Sequence, residues 1–156
     1  MTLIEYGDYE CPYCVKAFPV LEQVREKFGP KLRFVFRHVP KSGKAFDKQA
    51  AEASEFAAAQ GKFWPMHAQL FALDGRHDLE QLVAAASAID LDANAFRQAL
   101  VERSFAERVR ELSVAALHSG IIGTPTLFIN GVRYENRIEE ALLSAAIERA
   151  LAAPAS

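Results

Sequence analysis

Apolar positions recur along this chain in two rhythms, and their order predicts the architecture. Leu3-Ile4-Glu5-Tyr6 reads as a short strand covering about Thr2 to Tyr6. Cys14, Phe18, Leu21, Val24 and Phe28 then fall at steps of four and three, predicting a helix stopped by Gly29-Pro30. Pro12 falls in the first turn, where no N–H partner is lost. Pro19 lies mid-helix and predicts a kink, because it cannot bond the Val15 carbonyl. Arg33 to Arg37 alternates as a strand and closes a parallel β-α-β unit.

From Lys41 to His118 the pattern is helical throughout. An alanine-rich helix from Ala45 to Gln60 ends at Gly61, and Phe63, Met66, Leu70 and Leu73 mark the next, stopped at Asp74-Gly75. Asp78 with Gln81 reads as a capping box, and Asp92 caps another helix with Leu91 and Phe96 as its hydrophobic staple. Ser104 with Glu107 predicts a second capping box, and Gly120 closes the helix that follows. Thr126 to Ile129 then returns to strand, Asn130-Gly131 is a two-residue hairpin signal, and Val132 to Tyr134 comes back. A last helix from about Ile138 to Leu151 is expected to pack through Ile138, Leu142 and Ala145, with Arg149 at its rim. The Ala-Ala-Pro-Ala-Ser tail is expected to fray. The order is β-α-β, helices, β-β-α.

Composition narrows the class. The chain has 156 residues, 51% of them hydrophobic, which suits one compact domain with a real core. Its net charge is −2 with the charges interspersed, so no nucleic-acid surface is indicated. A long stretch without Asp, Glu, Lys or Arg, Ser113 to Val132, is broken by glycine and proline and cannot span a membrane as a helix. No signal peptide pattern opens the chain. That points to the cytoplasm as the chain stands, or to the periplasm if it is the mature part of a longer precursor.

The chemistry sits in Cys11-Pro12-Tyr13-Cys14, which holds the chain's two cysteines. A strand leading into C-x-x-C at a helix start reads as a redox dithiol. Unpaired backbone N–H groups and the positive end of the helix dipole stabilise a thiolate there. Cys11, at the tip, is the expected attacking thiol; Cys14, nearly a turn further in, is the expected resolving one. No second C-x-x-C or paired-histidine spacing completes a zinc site. A disulfide closing so short a loop adds little stability, so a structural bridge is disfavoured.

Three segments together resemble the DsbA-like branch of the thioredoxin superfamily: Glu5-Tyr6-Gly7-Asp8-Tyr9-Glu10-Cys11-Pro12-Tyr13-Cys14, Phe63-Trp64-Pro65-Met66-His67, and Gly123-Thr124-Pro125-Thr126-Leu127-Phe128-Ile129-Asn130-Gly131. The resemblance implies an α/β thioredoxin-like fold with an all-helical insertion, residues 41–104, between core segments 1–40 and 105–156. It implies that Thr124-Pro125 is a cis peptide packed against the dithiol, with Thr124 pairing through its backbone to a substrate strand beside Pro12 and Tyr13. Periplasmic oxidases of the branch typically carry Pro-His between the cysteines, so Pro-Tyr leaves the direction of catalysis open.

Glu5 stands six residues before Cys11, where these proteins resemble one another in carrying a buried acid. It shares a strand face with Leu3 and Gly7, and a desolvated carboxylate there is expected to exchange a proton with Cys14. Glu10, beside Cys11, is expected either to oppose its thiolate or to point into solvent. Trp64, Met66 and His67 read as packing, with His67 a satisfied structural histidine; His38 and His118 are also expected to be structural. The function expected is thiol–disulfide exchange with protein or peptide thiols and a redox partner protein, needing no cofactor beyond the Cys11–Cys14 disulfide and no metal. Two alternatives stay open. One is a reductase or isomerase recharged by a thioredoxin- or glutathione-type donor; the other is a redox-sensing binding module with slow turnover.

Overall fold

The computed structural model describes residues 1–40 and 45–153. Its elements are β1 (Thr2–Gly7), α1 (Pro12–Phe28), a 3-10 turn (Gly29–Lys31), β2 (Arg33–His38), α2 (Ala45–Ala59), α3 (Phe63–Ala72) and α4 (Leu79–Ala88). After them come α5 (Ala93–Val101), α6 (Ala106–His118), β3 (Thr126–Ile129), β4 (Val132–Arg133) and α7 (Glu140–Ala152). The sheet runs β2-β1-β3-β4, so β1 is central. It pairs parallel with β2, Glu5 opposite Phe36, and antiparallel with β3, Glu5 opposite Leu127. This is the thioredoxin-like βαβ…ββα order, with an all-helical insertion following β2. Among the described residues no helix is long and apolar enough to cross a membrane.

Alternation along β1 sorts its side chains. Leu3, Glu5 and Gly7 are buried on one face. On that side Leu3 joins Leu21 and Val24 of α1, Leu127 and Ile129 of β3, and Leu143 and Ile147 of α7 in one core. On the other face Tyr6 and Phe128 pack with Val39, Ala116 and Ile121. Alpha2 is buried through Ala50, Ala51, Ala53 and Ala57. Side chains that small let neighbouring helices approach closely, and Phe56 fills the remaining gap against Phe96.

Local signals placed most boundaries. Asp78 accepts from the Gln81 N–H, and Asp92 accepts from the N–H groups of Asn94 and Ala95. Asn130 and Gly131 take φ of 47° and 83°, the left-handed pair that a tight hairpin needs. Alpha1 runs through Pro19 as one element.

Three expectations need correction. Ser104 does not cap α6, which begins at Ala106 after Phe105 with no side-chain cap. The Ser104 N–H instead bonds the Ala99 carbonyl, and Arg103 takes φ 58°, so Ser104 belongs to the turn that closes α5. Alpha7 starts at Glu140 and buries Leu143 and Ile147, leaving Leu142 exposed. Ile138 packs from the preceding extended segment, so counting helical steps from it put the face one residue out of phase. The return strand is also shorter than expected, ending at Arg133. A helical start at Lys41 and the fraying of residues 154–156 lie outside the described residues.

Candidate active site

The turn from β1 into α1 sets the first sulfur. The Cys11 N–H donates to the Asp8 carbonyl (3.1 Å) and the Glu10 N–H to Asp8 Oδ1 (3.0 Å), a turn stabilised by its own side chain. Tyr9 staples this turn to the core. Its ring lies 4.9 Å from that of Phe71 and 5.2 Å from that of Phe36, and its hydroxyl meets His67 Nδ1 at 3.0 Å. Cys11 is thereby held as the N-cap of α1 in an extended conformation, and its carbonyl accepts the Val15 N–H at 3.0 Å.

Cys11 is partly exposed, and its Sγ donates to the Thr124 carbonyl at 3.4 Å. The Thr124–Pro125 peptide is cis. Pro12 and Tyr13 are exposed beside the sulfur, Tyr13 to 70%. The tip of α1 and the start of β3 therefore meet at one open edge. Cys14, by contrast, is fully buried. Burial pushes its thiol far above the usual range, and a charge on Glu5 adds to that push.

Glu5 lies under this pair on β1, 1% exposed, with no hydrogen-bond partner for Oε1 among the described residues. Burial pushes its carboxyl up to about 8, the Glu22 charge adds to the rise, and Arg25 opposes it. Arg25 is committed elsewhere. It meets Glu22 at 2.5 Å and lies 4.1 Å over the Trp64 ring, lining a cleft of about 600 Å³ with Phe34. Gly7 makes the packing over Glu5 possible, since a Cβ there would sit 2.5 Å from Phe36 Cε2 and 3.1 Å from Glu5 Oε1.

A family model described as Thioredoxin matches residues 1–149. The chain belongs to the thioredoxin family. Among solved structures, it is similar to BdbD from Bacillus subtilis, with a TM-score of 0.87, 24% identity, and coverage of 96% of this chain and 86% of that one. A thioredoxin-like oxidoreductase from Silicibacter pomeroyi matches with TM-score 0.82 and 25% identity over 98% of this chain and 87% of the other. MdbA, a thiol-disulfide oxidoreductase from Actinomyces oris, matches with TM-score 0.84 and 18% identity over 99% and 82% of the two chains. These DsbA-like neighbours share the fold that the motifs predict. A curated relative from Salinispora arenicola, named as the Na(+)/H(+) antiporter NhaA 1, is 40% identical over 153 residues, 97% of this chain and 23% of that protein. The chain spans about a quarter of the length of the curated relatives it matches.

In this thioredoxin-family site, the structure gathers Cys11, Pro12, Tyr13, Thr124 and Pro125 at the open edge and sets Glu5 with Cys14 beneath. His67 is buried and pushed down to about 3, mainly by burial, so it stays neutral. Of the two expectations for Glu10, the one that pointed it into solvent does not hold. Glu10 turns inward to 12% exposure, with Oε1 at 3.5 Å from Nδ1 of His77. Sequence reasoning missed Asp8, Tyr9, Glu22, Arg25 and His77. Asp8 carried a usable signal, an Asx turn ahead of Cys11-Pro12. Glu22 and Arg25 showed only as an i,i+3 pair on a helix surface, and His77 as an isolated histidine in a loop.

Proposed function

We propose that this chain is a thiol–disulfide oxidoreductase that exchanges disulfides with protein or peptide thiols through Cys11-Pro12-Tyr13-Cys14. The observation that carries this is the contrast between the sulfurs: Cys11 at an open edge against Thr124, Cys14 buried along with an acid whose Oε1 has no hydrogen-bond partner among the described residues. The Cys11 thiolate attacks one sulfur of a substrate disulfide and expels the other as thiolate. Cys14 then gives its proton to the Glu5 carboxylate and attacks Cys11 Sγ, releasing the second substrate thiolate and leaving the Cys11–Cys14 disulfide. Run backwards, with Glu5 returning the proton, the chain donates its disulfide. A carboxyl near 8 exchanges protons readily around neutrality. Thr124 pairs through its backbone with the substrate strand, between Pro125 and the exposed Pro12 and Tyr13.

The dithiol is itself the redox centre of this reading, and a redox partner protein resets it. Residues 41–104 act as an insertion over a core of 1–40 and 105–156, so calorimetry on the whole chain should give a single transition. Ion transport, named for the antiporter relatives, forms no part of the proposal.

The test is mixed-disulfide trapping with a peptide disulfide. Cys14→Ser should accumulate the peptide on Cys11, Cys11→Ser should trap nothing, and the unmutated chain should turn over. Trapping through Cys14 would overturn the roles. Trapping without turnover, given a glutathione or thioredoxin recharging system, would favour a redox-sensing binding module.

A further inference from the structure

The loop between α3 and α4 brings a buried histidine against the residue that precedes Cys11. His77 is 2% exposed, and its Nε2 lies 2.8 Å from the Leu70 carbonyl. A carbonyl only accepts, so Nε2 carries the proton. Among the described residues Nδ1 is buried without a hydrogen-bond partner, and the Glu10 Oε1 at 3.5 Å stands at ion-pair distance from it. A neutral His77 therefore turns a bare lone pair towards a carboxylate, one acceptor facing another. A single proton placed on Nδ1 converts that mismatch into a charge-assisted contact.

We infer that His77 and Glu10 form a proton-binding clip that sets the charge beside the reactive sulfur. One proton held between Nδ1 and Oε1 offsets the Glu10 charge; its loss leaves an uncompensated carboxylate next to Cys11. The inference rests on the thiol chemistry proposed above, and only a proton moves, between solvent and the clip.

Chain adjacency and a fixed turn hold Glu10 one residue from Cys11. Glu10 is adjacent in the chain, its N–H is tied to Asp8 Oδ1, and the next N–H is tied to the Asp8 carbonyl. With its carboxylate turned inward, Glu10 acts through protein more than through water, where a charge has greater reach. The other titratable groups around the clip are engaged elsewhere. On the turn, Asp8 Oδ1 accepts from Glu10; on α1, Cys14 is a buried thiol; from α3, His67 Nδ1 meets the Tyr9 hydroxyl. Arg76 Nε donates to the Leu73 carbonyl, and Asp78 Oδ1 accepts from the Gln81 N–H. None of them supplies a donor to Nδ1. His77 is thus a positioning residue, acting on Cys11 through Glu10.

The clip makes the ionisation of Cys11 depend on a second group. With the clip protonated, the thiolate is opposed less; as the proton leaves, thiolate formation becomes harder. Alkylation by iodoacetamide reads this directly, in the full-length Cys14→Ser chain, from about pH 4.5 to 9.5. The logarithm of the Cys11 rate should rise through two inflections. Glu10→Gln should leave one inflection and raise the rate roughly 3- to 10-fold where the clip is otherwise deprotonated and Cys11 only partly ionised. His77→Gln, which keeps a donor for Leu70, should slow the rate at the acid end and match the parent at the alkaline end. In the Glu10→Gln background it should change nothing.

Equal slowing by His77→Gln across the range, or the same slowing without Glu10, would reduce His77 to a packing residue and overturn the clip. So would a His77 ring whose 15N shifts in the unmutated reduced chain show no protonation over that range, a measurement independent of the variants. Alkylation needs no turnover, so a chain that shows the clip yet exchanges no disulfide would sink the functional proposal alone.

Discussion

Two buried glutamates, in two regions of the molecule, meet opposite fates. Glu52, on α2, is fully buried, and Arg103 grips both its oxygens: Nε at 2.9 and 3.1 Å, Nη2 at 2.5 Å. Glu5, on β1, is as deeply buried, but its Oε1 has no hydrogen-bond partner among the described residues and Arg25 is held by Glu22 and Trp64. The first carboxylate ties α2 to the turn between α5 and α6 and is part of the scaffold. The second keeps a protonation equilibrium near neutrality. Burial alone does not leave an acid titrating near neutrality; burial without a committed cation does.

The largest effect should come from breaking the scaffold pair. Arg103→Met strands the Glu52 carboxylate and should cost about 3 kcal/mol in urea unfolding, the low end for a broken buried pair because Arg103 is itself 41% exposed. A loss below about 1 kcal/mol would remove the distinction between the two acids.

Next comes Glu5→Gln, followed by stopped flow over about pH 5 to 9. The resolving step should slow by roughly 10²-fold, the low end for a well-placed acid–base group, while attack by Cys11 changes much less. Equal effects on both steps would make Glu5 structural.

A smaller effect concerns stability. The Glu5 carboxyl is raised in the folded state from 4.5 to about 8, so the fold binds its proton more tightly than the unfolded chain does. Stability from this group is complete below about 4.5 and is lost as pH rises towards 8. Glu5→Gln should therefore gain on the wild type by roughly 1–3 kcal/mol between those limits, measured as the difference of two urea series. His67 works the other way: lowered from 6.5 to about 3, it costs stability as pH falls through that window. The difference between the two chains cancels it, and a flat difference would refute the raised carboxyl.

The smallest effect is a control on geometry. Arg97 grips Glu80 through two bonds of 2.6 and 2.7 Å, as fork-like as the Arg103 pair, but at the surface. Arg97→Ala should leave the urea midpoint within error, because water already solvates both charges. A clear shift would mean that geometry, rather than burial, sets the strength of these pairs.

Features that depend on a few neighbouring residues were legible in the sequence. Asp78 and Asp92 cap where they must, and Asn130-Gly131 turns the hairpin through its left-handed φ values. Cys11 lands at the tip of α1, and Glu5 stood out as an acid within an apolar strand. What depends on distant partners was not legible. Ser104 carried a capping signal, yet the turn closing α5 took its N–H, and the α7 face was settled by where Ile138 enters the core. Glu52 and Arg103 lie 51 residues apart, and Glu10 meets His77 only because α3 and its following loop fold back on the β1–α1 turn. Caps, turns and hydrophobic periods act over one or two helical turns. The state of a buried charge is set by which cation or donor the tertiary structure brings within a few ångströms, and no local pattern encodes that.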